Sequence, residues 1–269
     1  MPGVSLYTEA DHTFAVCAYG ESQFLAECLE SLMEQSVKTS VIISTSTPND
    51  RISAAAEKCG VRLFVNEGKP GIAHDWNCAI EHCNTPLVTI AHQDDTYEPD
   101  YAKKMLAGIN AASNPLIFFS GYGELRESGK VVDNRLLNVK KTLLKPLENP
   151  KRAGSKFVRR RCLSLGSPIC CPAVTYMLPA LEKPLFVEGF KSDLDWEAWE
   201  KFSRLDGSFV YDPQVLMWHR IHEGSETSAL IKDDTRTKED LAMLSKFWPT
   251  PIAKVVNHFY SKGQDSNAQ

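Results

Sequence analysis

The sequence lacks a long apolar segment, a secretory signal and an excess of positive charge, and each absence excludes a class of protein. No run approaches the ~18 apolar residues that a membrane-spanning helix needs. Residues 1–12 have neither a basic start nor a continuous apolar stretch. With 30 basic and 34 acidic residues, the net charge of -4 argues against a nucleic-acid binder. We therefore expect a soluble, cytoplasmic protein that is at most peripheral to the inner face of a membrane.

A CxxC pair is also absent, so the eight cysteines do not predict a zinc site. They are scattered along the chain, and several lie within apolar runs, as small core residues do. Disulfides belong mainly to oxidising compartments, and these spacings do not suggest a disulfide framework. We predict free thiols in a reducing compartment.

Hydrophobic periodicity in the first half alternates between strands and helices. Apolar runs typical of buried strands lie at 14–19, 41–44, 61–65 and 87–91, with helical segments between them. The helix between the second and third runs is rich in alanine and stops at Gly60, a typical C-terminal cap. Strands that alternate with helices predict an α/β fold, with a Rossmann-like, mostly parallel sheet flanked by helices.

The end of the fourth predicted strand carries two adjacent carboxylates, in the segment His92-Gln93-Asp94-Asp95. Parallel sheets bind ligands at the carboxyl ends of their strands. Mg²⁺ and Mn²⁺ prefer oxygen ligands, usually one or two carboxylates together with substrate phosphates and water. The alternative role is capping of a helix that starts near Glu98-Pro99, a position that Asp favours. The doublet alone favours neither role.

Five segments between residue 14 and about residue 227 follow one another in a characteristic order. They are Phe14–Glu21 with Leu25, Leu29, Leu32 and Gln35; Asn66–Gly71 with Asn77; His92–Asp95; Asp195–Trp199; and His219–Ser225. In order and spacing this series resembles the family 2 glycosyltransferases, which have the GT-A fold. Each segment alone is a weak signal, whereas the ordered series is a strong one.

The resemblance implies an inverting glycosyltransferase that moves a sugar from a nucleotide diphosphate sugar to an acceptor hydroxyl. It implies a divalent metal, Mn²⁺ or Mg²⁺, held by Asp94 or Asp95, with His222 as a further ligand. It also implies that Asp195 is the base that takes the hydroxyl proton. The residues predicted to bind the nucleotide sugar are Ala18, Tyr19, Glu21, Ser44, Thr45, Gly71, Asn77, Asp94 and Arg220.

Three positions depart from the family pattern. Members commonly carry Asp after the second strand, where one binds the nucleotide base, but this chain has Ser44–Thr47 there. A UDP-sugar is still favoured, although the hydroxyls of Ser and Thr discriminate between nucleotide bases less firmly than a carboxylate does. His92 replaces the usual first Asp of the metal motif, and Trp76 replaces an Arg that commonly precedes the Asn of the third helix.

The segment around Asp195 has a structural interpretation as well. A helix is predicted over 193–202, and Asp193 is as good an N-terminal cap for it as Asp195. Trp196 and Trp199 offer flat faces for an acceptor sugar, but helical spacing favours core packing of Trp199. The resemblance is what favours Asp195 as the base.

We predict a single GT-A domain over residues 1–235 and a C-terminal helical tail over 236–269. The nucleotide-sugar half is about 12–120, and the acceptor half is about 121–235. The tail carries an apolar stripe at helical spacing, which favours docking on the domain or on a second subunit over a membrane-surface anchor. A homo-oligomer and a peripheral membrane contact are both left open.

The middle of the chain, 121–166, lacks clear periodicity. Long irregular segments in compact domains are commonly functional loops, so we expect loops on the acceptor side here. Its basic stretch, 151–161, is expected to be a solvated connector in preference to a gate over the diphosphate or a contact with an anionic acceptor or lipid headgroup.

Two other functions are compatible with the same architecture. A non-catalytic binding module for nucleotide sugars or glycans would not require carboxylates, base and Arg-x-His segment together. A sugar nucleotidyltransferase is disfavoured because Tyr19–Ser22 follows the first strand in place of a Gly-rich, Lys-bearing phosphate loop. The preferred acceptor is a glycan or a lipid-linked sugar, and resembling proteins commonly act in bacterial surface polysaccharide synthesis.

Overall fold

The strands of the computed structural model, which describes residues 6–222 and 235–265, form one sheet that runs through both predicted halves. Its order is β3-β2-β1-β4-β8-β6-β9-β5, with β7 beside β6. The strands are β1 His12–Ala18, β2 Ser40–Thr45, β3 Arg62–Val65, β4 Leu87–His92, β5 Thr96–Tyr97, β6 Pro115–Arg126, β7 Gly129–Val131, β8 Val174–Met177 and β9 Ser208–Arg220.

Helices cover the sheet and extend into the C-terminal tail, which is described as far as Asp265. They are α1 Leu25–Met33, α2 Asp50–Cys59, α3 Ile72–Glu81, α4 Tyr101–Ala111, α5 Arg135–Leu144, α6 Pro150–Ala153, α7 Lys156–Cys162, α8 Leu194–Ser203, α9 Thr235–Ser245 and α10 Thr250–Asp265.

The first four strands are parallel neighbours in the predicted α/β arrangement. β1 pairs with β2 and with β4, and β2 pairs with β3, all in parallel. The side chain of Asn49 accepts a hydrogen bond from the Ile52 amide and begins α2, and Gly60 ends it with a φ of 63°. The fold class is therefore confirmed, with strand and helix ends within a few residues of their predicted positions.

The segment 121–166 is not irregular, and here the expectation of loops was wrong. β6 extends into it, and β7 and three helices follow. Side-chain oxygens of Asn134, Asn149 and Ser155 accept backbone hydrogen bonds and begin α5, α6 and α7. These helices are short and bury few apolar residues, so their period is hard to see in the sequence.

Arg159 of the basic stretch is buried, whereas a solvated connector was expected. Its side chain is 0 % exposed, and its Nη1 and Nη2 each donate a 2.7 Å hydrogen bond, to the carbonyl oxygens of Gly207 and Leu205. The guanidinium also lies 5.1 Å from the ring centre of Phe209. Arg159 therefore joins α7 to the turn that precedes β9.

We expect Arg159→Met to lower the free energy of unfolding by about 1–3 kcal/mol, because the partly buried carbonyl oxygens of Leu205 and Gly207 lose their donors. Urea unfolding measures this change. Arg51→Met, at an exposed position of α2, is the matched control and should change stability by less than about 0.5 kcal/mol. Equal stability of the two variants would show that water replaces the guanidinium.

The described part of the tail packs on the domain. The Trp248 indole donates a 2.6 Å hydrogen bond to the Ser164 carbonyl oxygen, and the Trp196 and Phe247 rings stack with centres 6.3 Å apart. Ala253 of α10 is fully buried in the same core cluster. Over residues 6–222 and 235–265, no helix has both the length and the apolar character needed to cross a bilayer.

Candidate active site

The carboxyl ends of β1, β2 and β4 bring three predicted segments to one edge of the sheet. In the register of the sheet, Ala18 lies opposite Thr45, and Cys17 lies opposite His92. The residues that follow these strands therefore lie side by side at the carboxyl edge of the sheet.

Asp94 lies in the loop after β4 with both carboxylate oxygens engaged. The Ser22 hydroxyl donates a 2.5 Å hydrogen bond to Oδ1, and His222 Nε2 lies 3.3 Å from Oδ2. The Asp94 side chain is 26 % exposed, so a ligand can approach it. His222 follows the last strand, and residues 223–225 of the predicted closing segment lie outside the described residues.

Asp95 points inward, and its side chain is only 1 % exposed. Its Oδ1 accepts hydrogen bonds from His219 Nδ1 at 3.1 Å and from the Arg220 amide at 2.8 Å. Burial opposes the charge of Asp95, but His219 and the Arg220 amide hold its pKa below the usual range. Neither Asp94 nor Asp95 caps α4, whose N-terminal cap is Asp100. Hydrogen bonds to Asp95 therefore link the end of β9 to the loop after β4.

Arg220 links the last strand to the donor side of the site. Its Nε donates to the Asp94 carbonyl oxygen at 2.8 Å, and its Nη2 lies 2.6 Å from Glu27 Oε2 of α1. The guanidinium lies 4.2 Å from the ring centre of Phe24, and the same ring is 5.2 Å from His222. The aromatic ring thus supports both predicted residues of the Arg-x-His segment.

Gln93 joins the loop after β4 to the loop after β1. Its Oε1 accepts from the Tyr19 amide at 3.1 Å, and its Nε2 donates to the Tyr19 carbonyl oxygen at 2.9 Å. The Gly20 amide donates to Thr47 Oγ1 at 2.7 Å. These contacts fix the backbone of Tyr19 while its side chain stays 56 % exposed.

His92 and Trp76, two departures from the family pattern, are in contact with each other. Their rings stack with centres 5.2 Å apart at an interplanar angle of 22°. Burial lowers the pKa of His92, so its imidazole is neutral at pH 7. A neutral aromatic pair therefore stands where the family pattern has an Arg and an Asp.

Ser44 and Thr45, predicted to bind the nucleotide, are buried at the end of β2. The Ser44 hydroxyl donates a 2.8 Å hydrogen bond to Asn66 Oδ1, and Thr45 Oγ1 accepts from the Thr47 amide at 3.1 Å. Ala18 is also buried, at 4 % exposure. The side chains of Ser44 and Thr45 therefore bind other parts of the chain and shape this edge of the sheet.

Asn77 binds the backbone of Phe186 in two places. Its Nδ2 donates to the Phe186 carbonyl oxygen at 2.7 Å, and its Oδ1 accepts from the Phe186 amide at 3.2 Å. Asn77 thus holds the segment that leads toward α8. Glu21 and Gly71 were also predicted to bind the donor, and both are exposed. Glu21 lies three residues after β1, and Gly71 is at the N-terminal cap position of α3.

Asp195 lies in the first turn of α8, and burial raises its pKa to about 6. Its Oδ1 accepts a 2.6 Å hydrogen bond from the Trp196 amide. Asp193 occupies the N-terminal cap position of the helix but makes no side-chain cap hydrogen bond. Trp196 and Trp199 are fully buried, so neither presents a face to an acceptor sugar.

Lys140 of α5 is a further candidate site residue, which the sequence analysis did not identify. Its Nζ donates a 2.8 Å hydrogen bond to the Tyr122 hydroxyl, and its charge favours the ionised form of Asp195. Burial raises the pKa of Cys170, and both Asp95 and Asp195 raise it further. The Cys170 thiol therefore stays protonated at pH 7.

Asp94 and His222 fit a divalent metal, although the described residues contain no group of three or more His, Cys, Asp or Glu side chains arranged to hold one. Adjacent ligands of an octahedral ion with bonds of ~2.1 Å are about 3 Å apart. The 3.3 Å between Asp94 Oδ2 and His222 Nε2 agrees with this spacing. Two protein ligands suit an ion that takes its other ligands from phosphates and water.

The comparisons with known proteins give the family and the fold. The model of glycosyl transferase family 2 matches residues 13–177. S. aureus TarS 1-349 in complex with UDP-GlcNAc is similar in structure, with a TM-score of 0.61, 15% identity and coverage of 92% of this chain and 70% of that chain. The mannosyltransferase PcManGT from Pyrobaculum calidifontis, in complex with GDP-Man and Mn²⁺, has a TM-score of 0.64, 15% identity and coverage of 95% and 70%. A comparison with curated proteins gives no match.

The strand order and the helices that flank the sheet define the GT-A fold. Because the family match covers more than half of the 269 residues, the chain belongs to glycosyl transferase family 2.

Proposed function

We propose that this protein is a metal-dependent, inverting glycosyltransferase that transfers a sugar from a nucleotide diphosphate sugar to an acceptor hydroxyl. The observation that carries the proposal is the Asp94 and His222 pair at the carboxyl edge of the sheet. Asp195, whose pKa burial raises to about 6, would be the base. Two similar structures hold nucleotide sugars, UDP-GlcNAc and GDP-Man, and one of them also holds Mn²⁺.

The donor half of the site suits a nucleotide diphosphate. The exposed ring of Tyr19, on a backbone fixed by Gln93, provides a flat surface for a nucleobase. Asp94 and His222 would hold Mn²⁺ or Mg²⁺, and the bound ion would neutralise charge on the departing diphosphate. UDP is the preferred nucleotide, although the burial of Ser44 and Thr45 leaves few side chains to read the base edge.

The acceptor half requires a base that is ionised at neutral pH. With a pKa of about 6, Asp195 is about 90 % ionised at pH 7 and still binds a proton more readily than an ordinary Asp. Lys140 supports the ionised form. Proton removal from the acceptor hydroxyl by Asp195 would give the nucleophile that attacks the anomeric carbon from the face opposite the diphosphate.

The acceptor we propose is a glycan or a lipid-linked sugar, in bacterial surface polysaccharide synthesis. This part rests on the family and on the composition, which also favours a cytoplasmic location with at most a peripheral membrane contact.

Calorimetric titration with UDP, GDP and dTDP, each with and without Mn²⁺, tests the donor site. We expect one nucleotide, preferably UDP, to bind with a Kd on the order of 1–100 µM, and only when Mn²⁺ is present. Binding of that nucleotide without metal would contradict the metal dependence. Absence of binding for all three nucleotides would contradict the transferase proposal itself.

A further inference from the structure

A single carboxylate of the C-terminal tail binds the three backbone amides that precede α8. Glu239 of α9 accepts from the Lys191 amide through Oε1 at 2.9 Å. Its Oε2 accepts from the Ser192 and Asp193 amides at 2.7 Å and 3.2 Å. Both segments lie outside residues 13–177, over which the family match extends.

These hydrogen bonds fix the point at which α8 begins. The Asp193 amide belongs to the N-terminal cap position of α8, where backbone amides have no partner within the helix, and a carboxylate near this end is favoured by the helix dipole. Bonds to an ionised acceptor are roughly twice as strong as neutral ones. Asp195 is the second residue of this helix, so the direction of its side chain depends on how the helix starts.

A second contact joins the same two elements. Asp193 is 4 % exposed and Asp240 is 1 % exposed, and burial together with Asp240 raises the pKa of Asp193 well above its usual range. Asp240 adjoins Glu239 on α9. Arg236, one turn earlier on α9, contributes positive charge toward Asp195.

We propose that Glu239 is a positioning residue for the catalytic base, and that α9 is the element that holds Asp195 in the acceptor site. The role as base rests on the proposed function, whereas the contact between α9 and the start of α8 does not. The charged and titratable groups that act on Asp195 or lie beside it are Lys140 of α5, Arg236 of α9, Tyr122 of β6, Asp193, Cys170, Cys171 and Tyr176.

Hydrogen exchange tests the contact without any ligand. In Glu239→Ala, the amides of residues 191–193 should exchange at least about tenfold faster than in the unmodified protein. Glu239→Gln keeps one acceptor oxygen, so its exchange rates at these amides should lie between those of the unmodified protein and those of Glu239→Ala. Glu127→Gln, at an exposed position of the β6–β7 turn, is the matched control and should leave exchange unchanged. Unchanged exchange in Glu239→Ala would overturn the proposal.

Carbon-13 titration of the Asp195 carboxyl and donor turnover test the consequence for the base. Water that enters a loosened α8 should lower the pKa of Asp195 in Glu239→Ala to about 5. Release of nucleotide diphosphate from the donor, with water as the acceptor, should fall at least about tenfold because a misplaced base loses rate steeply. The nucleotide Kd should not change.

Faster exchange with an unchanged Asp195 titration and unchanged turnover would overturn the positioning role, because Glu239 would then only anchor the tail. In Glu239→Gln, the pKa of Asp195 and the turnover of the donor should both lie between those of the unmodified protein and those of Glu239→Ala. If the unmodified protein binds no nucleotide, the proposed function fails, whereas the exchange and titration results still decide whether α9 holds Asp195.

Discussion

Asp195→Asn should lower the rate of sugar transfer by about 10²–10⁴-fold, the contribution of a positioned base. Asn has the same shape and can still accept the hydrogen bond from the Trp196 amide, so the start of α8 should not move. The amide cannot take the proton of an acceptor hydroxyl. Turnover with labelled donor measures the loss, and nucleotide affinity should stay within about twofold because the donor side is untouched.

Asp206→Asn is the matched control, because Asp206 is exposed and pairs with Lys156 on the surface. The pH dependence adds a second check, since only ionised Asp195 can act as a base. A pKa of about 6 predicts that the rate falls tenfold for each pH unit below 6 in the unmodified protein. An Asp195→Asn variant that retains most of its activity would show that another group takes the proton.

The same variant should be more stable at neutral pH. Burial raises the pKa of Asp195 from 3.8 to about 6 in the folded state, so folding favours the protonated form. The contribution of Asp195 to the free energy of unfolding is therefore fully present below pH 3.8 and is lost as the pH rises through about 6. Asn removes that penalty, and with allowance for partial solvent exposure we expect a gain of about 1–2 kcal/mol at pH 7.

The parts of the fold that the sequence predicts well are those with strong local signals. The strands from β1 to β4 are continuous apolar runs, and Gly60 marks the end of α2 because its φ of 63° is costly for other residues. α5 to α7 were missed because their signals are single cap residues such as Asn134 and Ser155, which also occur in turns.

For the candidate site, the sequence gives residue types but not the direction of side chains. Asp94 and Asp95 are indistinguishable in sequence, yet one faces solvent and the other faces His219. Lys140 could not be found from spacing, since its contact with Tyr122 depends on how α5 packs beside β6. These contacts join distant parts of the chain, and no local pattern specifies them.

Asp94→Ala should weaken nucleotide binding in the presence of Mn²⁺ by at least about 100-fold, or about 2.7 kcal/mol. The variant loses the exposed carboxylate next to His222, and with it one of the two protein ligands that we propose for the ion. Its thermal stability should change little, because the side chain is 26 % exposed and its partners can bind water. Calorimetry with and without Mn²⁺ measures the effect.

Asp95→Asn separates the roles of the two carboxylates. The neutral side chain of Asn is a weaker acceptor for His219 and for the Arg220 amide than the carboxylate of Asp95. We therefore expect the free energy of unfolding to fall by about 2–4 kcal/mol. The folded fraction should still bind the nucleotide with Mn²⁺ to within a few fold. The opposite pattern, with metal dependence lost in Asp95→Asn and kept in Asp94→Ala, would assign the ion to Asp95. That assignment would require the loop after β4 to turn Asp95 away from His219, and the end of β9 would then lose the contact that brings Arg220 and His222 to the site.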